Sequence, residues 1–150
     1  MLKKIKKIKI DSGVKKLLKE EEHFGIKRFK TYKDFGEKVH KIRLNVNKNI
    51  KKLKEKNILI IGYGAPAKAT TALNFFGISN EINFIVEDNK LKHNKFIPGV
   101  KIPIKNKKQI KSKKNTLIVL AWNFYSDIKK NNFELSDNFI NIKDLESNNL

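Results

Sequence analysis

At 150 residues, with an apolar share of 39% and ten Phe, the chain is long enough for one domain with a packed core and too apolar for a disordered segment. It contains no Cys, which excludes a disulfide framework, a thiol nucleophile and a Cys-ligated zinc site, and no apolar run approaches the roughly 18 residues of a membrane span. The net charge of +19 invites nucleic acid as a partner, yet Lys is spread from end to end, Arg occurs only at Arg28 and Arg43, and no basic motif interleaved with aromatics stands out; salt-sensitive adhesion to polyanions is expected, and no specific nucleic-acid function.

The first segment, "MLKKIKKIKI", is basic but lacks the apolar stretch and cleavage site of a secretory signal, so a cytoplasmic location and no membrane contact are expected. Ser12 is placed to cap a short helix, "GVKKLLKEEEHF", with Val14, Leu17, Leu18 and Phe24 on its apolar side and Gly25 closing it. Thr31 reads as the next cap. After it, Tyr32, Phe35, Val39, Ile42, Val46, Ile50 and Leu53 recur at spacings of three and four, one apolar stripe on a helix running to about Lys56. Residues 1–56 therefore read as a helical lead-in packing on the remainder of the chain.

From Asn57 the period changes. "ILII" is a short continuous apolar run, as in a strand covered on both faces. A glycine turn comes next, then a helix from about Ala65 to Phe76 with Pro66 in its first turn and Gly77 at its end. "INFIVED" is a second buried strand, "IPGVKIPI" a loop with a short extended segment, "TLIVLAW" a third strong strand, "FYSDIKKN" a short helix and "NFINI" a last strand. This alternation over 57–150 predicts an α/β fold: a Rossmann-like three-layer domain with a mostly parallel sheet and right-handed crossovers.

In "GYGAPAKA", Gly62, Gly64 and Ala67 match G-x-G-x-x-G/A directly after a strand and at the start of a helix, the context in which that pattern holds a nucleotide. Gly62 permits the tight turn, Gly64 lets backbone approach a ligand, and the first amides of the helix attract an anion. Lys68 stands where its ammonium can reach a phosphate, and Asp88, beside Glu87, ends the second strand where an acid takes ribose hydroxyls. Trp122 and Asn123 end the third strand on the same edge. The turn also admits plainer readings: chain geometry alone, an ordinary surface lysine at Lys68, a turn cap at Asp88. A phosphate loop of the G-x-x-x-x-G-K-[ST] type is excluded, because Ala67 stands in place of the second Gly and Ala69 in place of the Ser/Thr. His23, His40 and His93 lack metal-ligand spacing and no serine sits on a nucleophile elbow, so neither a catalytic set nor a metal site is expected.

Four segments, "VKKLLKEEEHFGI", "GYGAPAKATTALNFFGI", "FIVEDNKLKHNKFIPGVKIPI" and "LIVLAWNF", together resemble in order and spacing the C-terminal domain of sugar C-methyltransferases. Those enzymes join a zinc domain and an S-adenosylmethionine domain to a Rossmann-like C-terminal domain that helps hold a nucleotide-linked keto-sugar. The resemblance implies that Gly62, Tyr63, Gly64, Ala65, Lys68, Asp88, Lys92, Pro98, Gly99, Trp122 and Asn123 are substrate-binding. Glycine-turn amides and Lys68 would take the pyrophosphate and Asp88 the ribose. It further implies a partner ligand such as a thymidine-diphospho-sugar. No cofactor is expected on this chain, S-adenosylmethionine entering only through a separate methyltransferase domain, for which separate encoding is one option and a split gene the other. The family pattern has Lys-Gly-Asn where Lys68-Ala69-Thr70 stands. The expected function is thus a stand-alone or split C-terminal domain of such an enzyme. The rival readings are an NAD(P)-type dinucleotide-binding fragment and a non-catalytic structural or oligomerisation module built on the long helix.

Overall fold

The computed structural model describes residues 11–147; the basic segment "MLKKIKKIKI", weighed as a signal, lies outside them. The chain falls into two compact units that divide after His40.

The first unit is helical. Helix α1 (Ser12–Phe24) is capped by Asp11 rather than by Ser12, which is the first helical residue: the Asp11 carboxylate accepts from the Gly13 amide at 2.6 Å. An aspartate one position upstream outcompetes serine because its charge also meets the positive end of the helix. Gly25 closes α1 at φ 83°, its amide shared between Glu21 and Glu22 carbonyls, a left-handed position that a side chain would strain. Helix α2 (Phe29–Glu55) starts two residues before Thr31, so Thr31 is no cap. Its hydroxyl instead donates to the Gly25 carbonyl at 2.8 Å and fastens the first turn of α2 to the end of α1. The predicted apolar faces are largely bare here: Val14, Leu17, Leu18, Tyr32 and Phe35 are all exposed.

The second unit begins inside α2, whose last turns bury Val46, Ile50 and Leu53. The same turns carry a buried polar residue that periodicity does not announce. Asn49 donates to the Leu145 and Ser147 carbonyls at 3.0 and 2.7 Å, and Asn47 donates to the Phe76 carbonyl at 2.7 Å, each satisfying a carbonyl at the end of another element.

Five strands complete the unit: β1 (Leu59–Tyr63), β2 (Phe84–Val86), β3 (Ile104–Lys105), β4 (Asn115–Val119) and β5 (Asn138–Asn141), all parallel in the order β3-β2-β1-β4-β5. Helix α3 (Ala67–Phe76) joins β1 to β2 and α4 (Tyr125–Asn131) joins β4 to β5. The predicted doubly covered sheet is what forms. On one face Ile60, Ile85, Ile118 and Leu120 pack with Leu73 and Phe76 of α3 and Ile50 of α2. On the other, Ile61, Tyr63, Val86, Leu117 and Val119 pack with Tyr125 and Ile128 of α4. Because strand side chains alternate, the continuous apolar runs divide cleanly between the two faces.

The start of α3 differs in detail from the expectation. Pro66 is not in the first turn but precedes it in extended conformation, φ −72° and ψ 161°, and Gly77 closes the helix at φ 69°. Gly62 is not in the turn either. It lies within β1, where an added Cβ would sit 2.8 Å from Ile85 Cγ1 and 3.0 Å from Leu120 Cδ1, so its bareness serves packing against the α3 face. Gly64 makes the turn, at φ 86°. Among the described residues no helix is long and apolar enough to cross a membrane.

Candidate functional site

The strand order reverses at β1: the chain moves to β2 and β3 on one side and returns to β4 and β5 on the other. In open parallel sheets such a reversal leaves a crevice outside the carboxyl ends of the two diverging strands. Here a cavity of about 390 Å³ opens there, its walls Tyr63, Gly64 and Pro66 from the β1 end, Glu87, Asp88 and Lys92 from the β2 end, and Ala121, Phe124 and Ile128 beyond β4. A second hollow of about 270 Å³, reaching Lys107, Asp127 and Asn132, shares Tyr63, Asp88 and Ile128 with it. A further hollow of about 340 Å³ lies at the opposite, amino end of the strands, lined by Lys54, Leu59 and Glu81, away from the glycine turn.

Tyr63, Gly64, Asp88 and Lys92 therefore come together, as the sequence suggested. The others are placed differently. Gly62 lies beneath the crevice in the sheet, and Ala65 is buried with its backbone already paired. Pro98 and Gly99 are held against α3, where Asn74 donates to the Pro98 carbonyl at 2.9 Å and a Cβ on Gly99 would run into the Asn74 carboxamide. Lys68 rests its ammonium 3.9 Å above the Trp122 ring, with the Lys143 ammonium 5.9 Å from the same ring. Asn123 is exposed on the short turn Trp122–Phe124.

Two acids at the end of β2 organise the crevice, and they face opposite ways because consecutive residues leaving a strand do. Asp88 points to the α4 side. Tyr63 donates its hydroxyl proton to Asp88 Oδ2 at 2.7 Å, and Lys107 pairs with Asp88 Oδ1 at 3.5 Å while donating to Asn132 Oδ1 at 3.1 Å. Burial, and then the Asp88 carboxylate beside it, raise the Tyr63 hydroxyl well above the usual tyrosine range, so it remains a donor throughout the working pH range.

Glu87 points to the glycine turn. Its Oε2 accepts from the Ala65 amide at 2.9 Å and from Lys92 Nζ at 3.2 Å, and its Oε1 accepts from the Asn89 amide at 3.1 Å. Lys92 also donates to the Ala65 carbonyl at 2.9 Å, and Gly64 donates to the Val86 carbonyl at 2.8 Å. His93 completes the knot with Nε2 at 2.7 Å from the Glu87 carbonyl. Burial pushes the Glu87 carboxyl upward, but the Asn89 and Ala65 amides and the Lys92 ammonium outweigh it and hold the group below its ordinary value. A carboxyl lowered on folding contributes stability that is present above its unfolded pKa and lost as the pH falls through its folded one. Replacing Lys92 by Ala removes one of those lowering partners. The variant is expected to be less stable near neutrality by about 1 kcal/mol, and to lose less of its remaining stability between pH 5 and pH 3 than the parent does, as read by thermal melts across that range. Equal acid losses in the two proteins would mean that Lys92 does not hold Glu87.

Sequence reading singled out Asp88 and passed over Glu87, and it missed Lys107, Phe124, Ile128 and Asn132. The alternation of β2 carried the first signal: Ile85 lies on the α3 face, so Glu87 must as well. Among the described residues no group of three or more His, Asp or Glu is arranged to hold a metal ion.

A five-stranded parallel sheet with a glycine turn and helices on both faces defines a Rossmann-like α/β domain. The chain belongs to the C-methyltransferase C-terminal domain family, whose model matches residues 1–140. It is similar to the C-methyltransferase NovU of Streptomyces niveus, 29% identical over 128 residues, a match that covers 84% of this chain and 30% of that protein. The chain thus spans less than a third of the length of the curated relative it matches.

Proposed function

We propose that this chain is the substrate-holding domain of a sugar C-methyltransferase, and that its crevice binds a nucleotide-linked sugar. The observation that carries the reading is the cavity of about 390 Å³ at the strand reversal, lined by a phenol, two carboxylates and an ammonium on one side and by Phe124 and Ile128 on the other. Hydroxyl-rich ligands need donors and acceptors fixed in place beside an apolar wall for the ring to lie on, and this crevice supplies both. Asp88, more than half exposed although bonded to Tyr63, keeps acceptor capacity for a pair of hydroxyls. The Trp122 ring with Lys68 on its face offers stacking and positive charge at the rim.

In this reading methyl transfer takes place on a domain outside the residues of this chain, upstream or on a separate polypeptide, and S-adenosylmethionine binds there. The chain contributes orientation: a sugar fixed at one end presents its reacting carbon at the other.

Calorimetric titration of the chain at physiological salt with a thymidine-diphospho-sugar, NAD and S-adenosylmethionine tests this. Saturable binding of the nucleotide-sugar alone is expected, weakened about tenfold or more in Asp88→Ala by loss of a charged hydrogen-bond partner. Tighter binding of NAD, or nucleotide-sugar binding indifferent to Asp88, would overturn it. At physiological salt, adhesion due only to the +19 charge tracks phosphate number and is not altered by one crevice acid.

A further inference from the structure

We infer that Glu87 is a built-in anion occupying the phosphate position of the glycine turn, so that the crevice excludes the diphosphate of its ligand and receives an uncharged, hydroxyl-bearing portion instead. This deepens the nucleotide-sugar reading and replaces the expectation that the turn amides hold the pyrophosphate.

A phosphate enters the crevice through a glycine turn where the amides of the turn itself point at open space; the first amides of α3, those of Ala67 and Lys68, lie beyond it on the Lys68 side. Here the amides of the turn are spoken for: that of Gly64 by the Val86 carbonyl, that of Ala65 by Glu87 Oε2 at 2.9 Å, and Pro66 has none to give. The occupant is no passing surface acid. Its side chain is 13% exposed and is held by three donors from three different residues, one of them the Lys92 ammonium at 3.2 Å. A phosphate oxygen reaching for the Ala65 amide would have to displace a carboxylate or lie against one, and like charges so placed repel strongly.

The charge balance of the crevice agrees. In a chain of net charge +19, the two ammoniums here are each matched to an acid, Lys92 to Glu87 and Lys107 to Asp88. The site is close to neutral on a strongly basic molecule. Lys68, by contrast, rests its ammonium on the Trp122 ring at the rim, with Lys143 beside the same ring. A diphosphate is therefore directed outward to Lys68, and the ring that enters the crevice is a neutral one.

The experiment is a nuclear magnetic resonance titration of the full chain, wild type, Glu87→Gln and Glu87→Ala, read at the backbone amides of Gly64 and Ala65. A local signal is needed because a basic chain collects polyanions diffusely. The probes are inorganic pyrophosphate and thymidine-diphospho-glucose. In the wild type, pyrophosphate should leave the Ala65 amide unmoved, while the nucleotide-sugar shifts the amides around Asp88 and Lys92. In both variants pyrophosphate should gain a saturable shift at Ala65, with affinity raised on the order of tenfold or more. Unchanged dispersion of the remaining amides shows that each variant is folded. Saturable pyrophosphate binding at Ala65 in the wild type, or no gain in either folded variant, would overturn the inference. If the variants gain pyrophosphate while no crevice amide responds to the nucleotide-sugar, Glu87 is the excluding anion and the nucleotide-sugar reading falls instead.

Discussion

Replacing Gly62 by Val is expected to lower the stability of the chain by about 3 kcal/mol or more, enough to leave a large fraction unfolded if the parent is only marginally stable. Gly62 is in the central strand, paired with Ile85 on β2 and Ile118 on β4, and its α position faces the crowded α3 layer. An added Cβ would approach Ile85 Cγ1 to 2.8 Å and Leu120 Cδ1 to 3.0 Å, and valine brings two further methyls. Both neighbours are themselves buried and packed on α3, so neither can swing into solvent to make room. Urea unfolding followed by circular dichroism measures it: the midpoint should fall with the slope unchanged. Gly64→Ala is the control, where the backbone at φ 86° and a Cβ 3.0 Å from that of Ala121 predict a smaller loss, about 1–2 kcal/mol. A Gly62→Val protein as stable as wild type would mean that the sheet and α3 are not packed as described.

Tyr63 carries the second large effect, and two substitutions separate its two jobs. Its ring is buried on the α4 face among Val86, Val119 and Ile128, and its hydroxyl reaches the crevice to bond Asp88. Tyr63→Ala should cost about 4 kcal/mol, because the void cannot close between two packed layers. Tyr63→Phe keeps the ring and should cost only about 1 kcal/mol, the worth of one hydrogen bond to a charged acceptor partly open to water. The functional consequence runs the other way round. Phe leaves Asp88 held by Lys107 alone at 3.5 Å, so a ligand relying on a fixed carboxylate should bind several-fold more weakly with little change in melting temperature. If Phe melts as early as Ala, the hydroxyl network rather than packing dominates this corner.

The fold was readable because its signals are local. Continuous runs such as "ILII" and "TLIVLAW" separate strands from the three-and-four spacing of the helices, and Gly25 and Gly77 end helices where left-handed backbone is required. What escaped is what local pattern does not encode. Asp11 beat Ser12 as a cap through charge, and Thr31 turned inward to Gly25 rather than capping its own helix. The long stripe on α2 is a uniform sequence feature, yet its burial begins only at Val46. In the site, the glycine pattern located the crevice, but Gly62 is a packing notch, Gly64 alone makes the turn, and Glu87, which the sequence reading passed over, is the acid bonded to the Ala65 amide. Lys107, Asn132 and Ile128 are distant in sequence from the turn, brought in by the connections on either side of β4.

The central position of β1 also sets an order on the making of the molecule. Leu59 pairs with Asn115 and Tyr63 with Val119, so one edge of the central strand has no partner until the second half of the chain exists. Such long-range parallel pairing is slow, since a long loop must close before any contact rewards it. During synthesis the ribosome releases β1, α3 and β2 well before the residues that will cover them. A nascent chain halted short of Val119 therefore presents an open, apolar strand edge, and its protection in the cell becomes a matter for chaperones until β4 is in place.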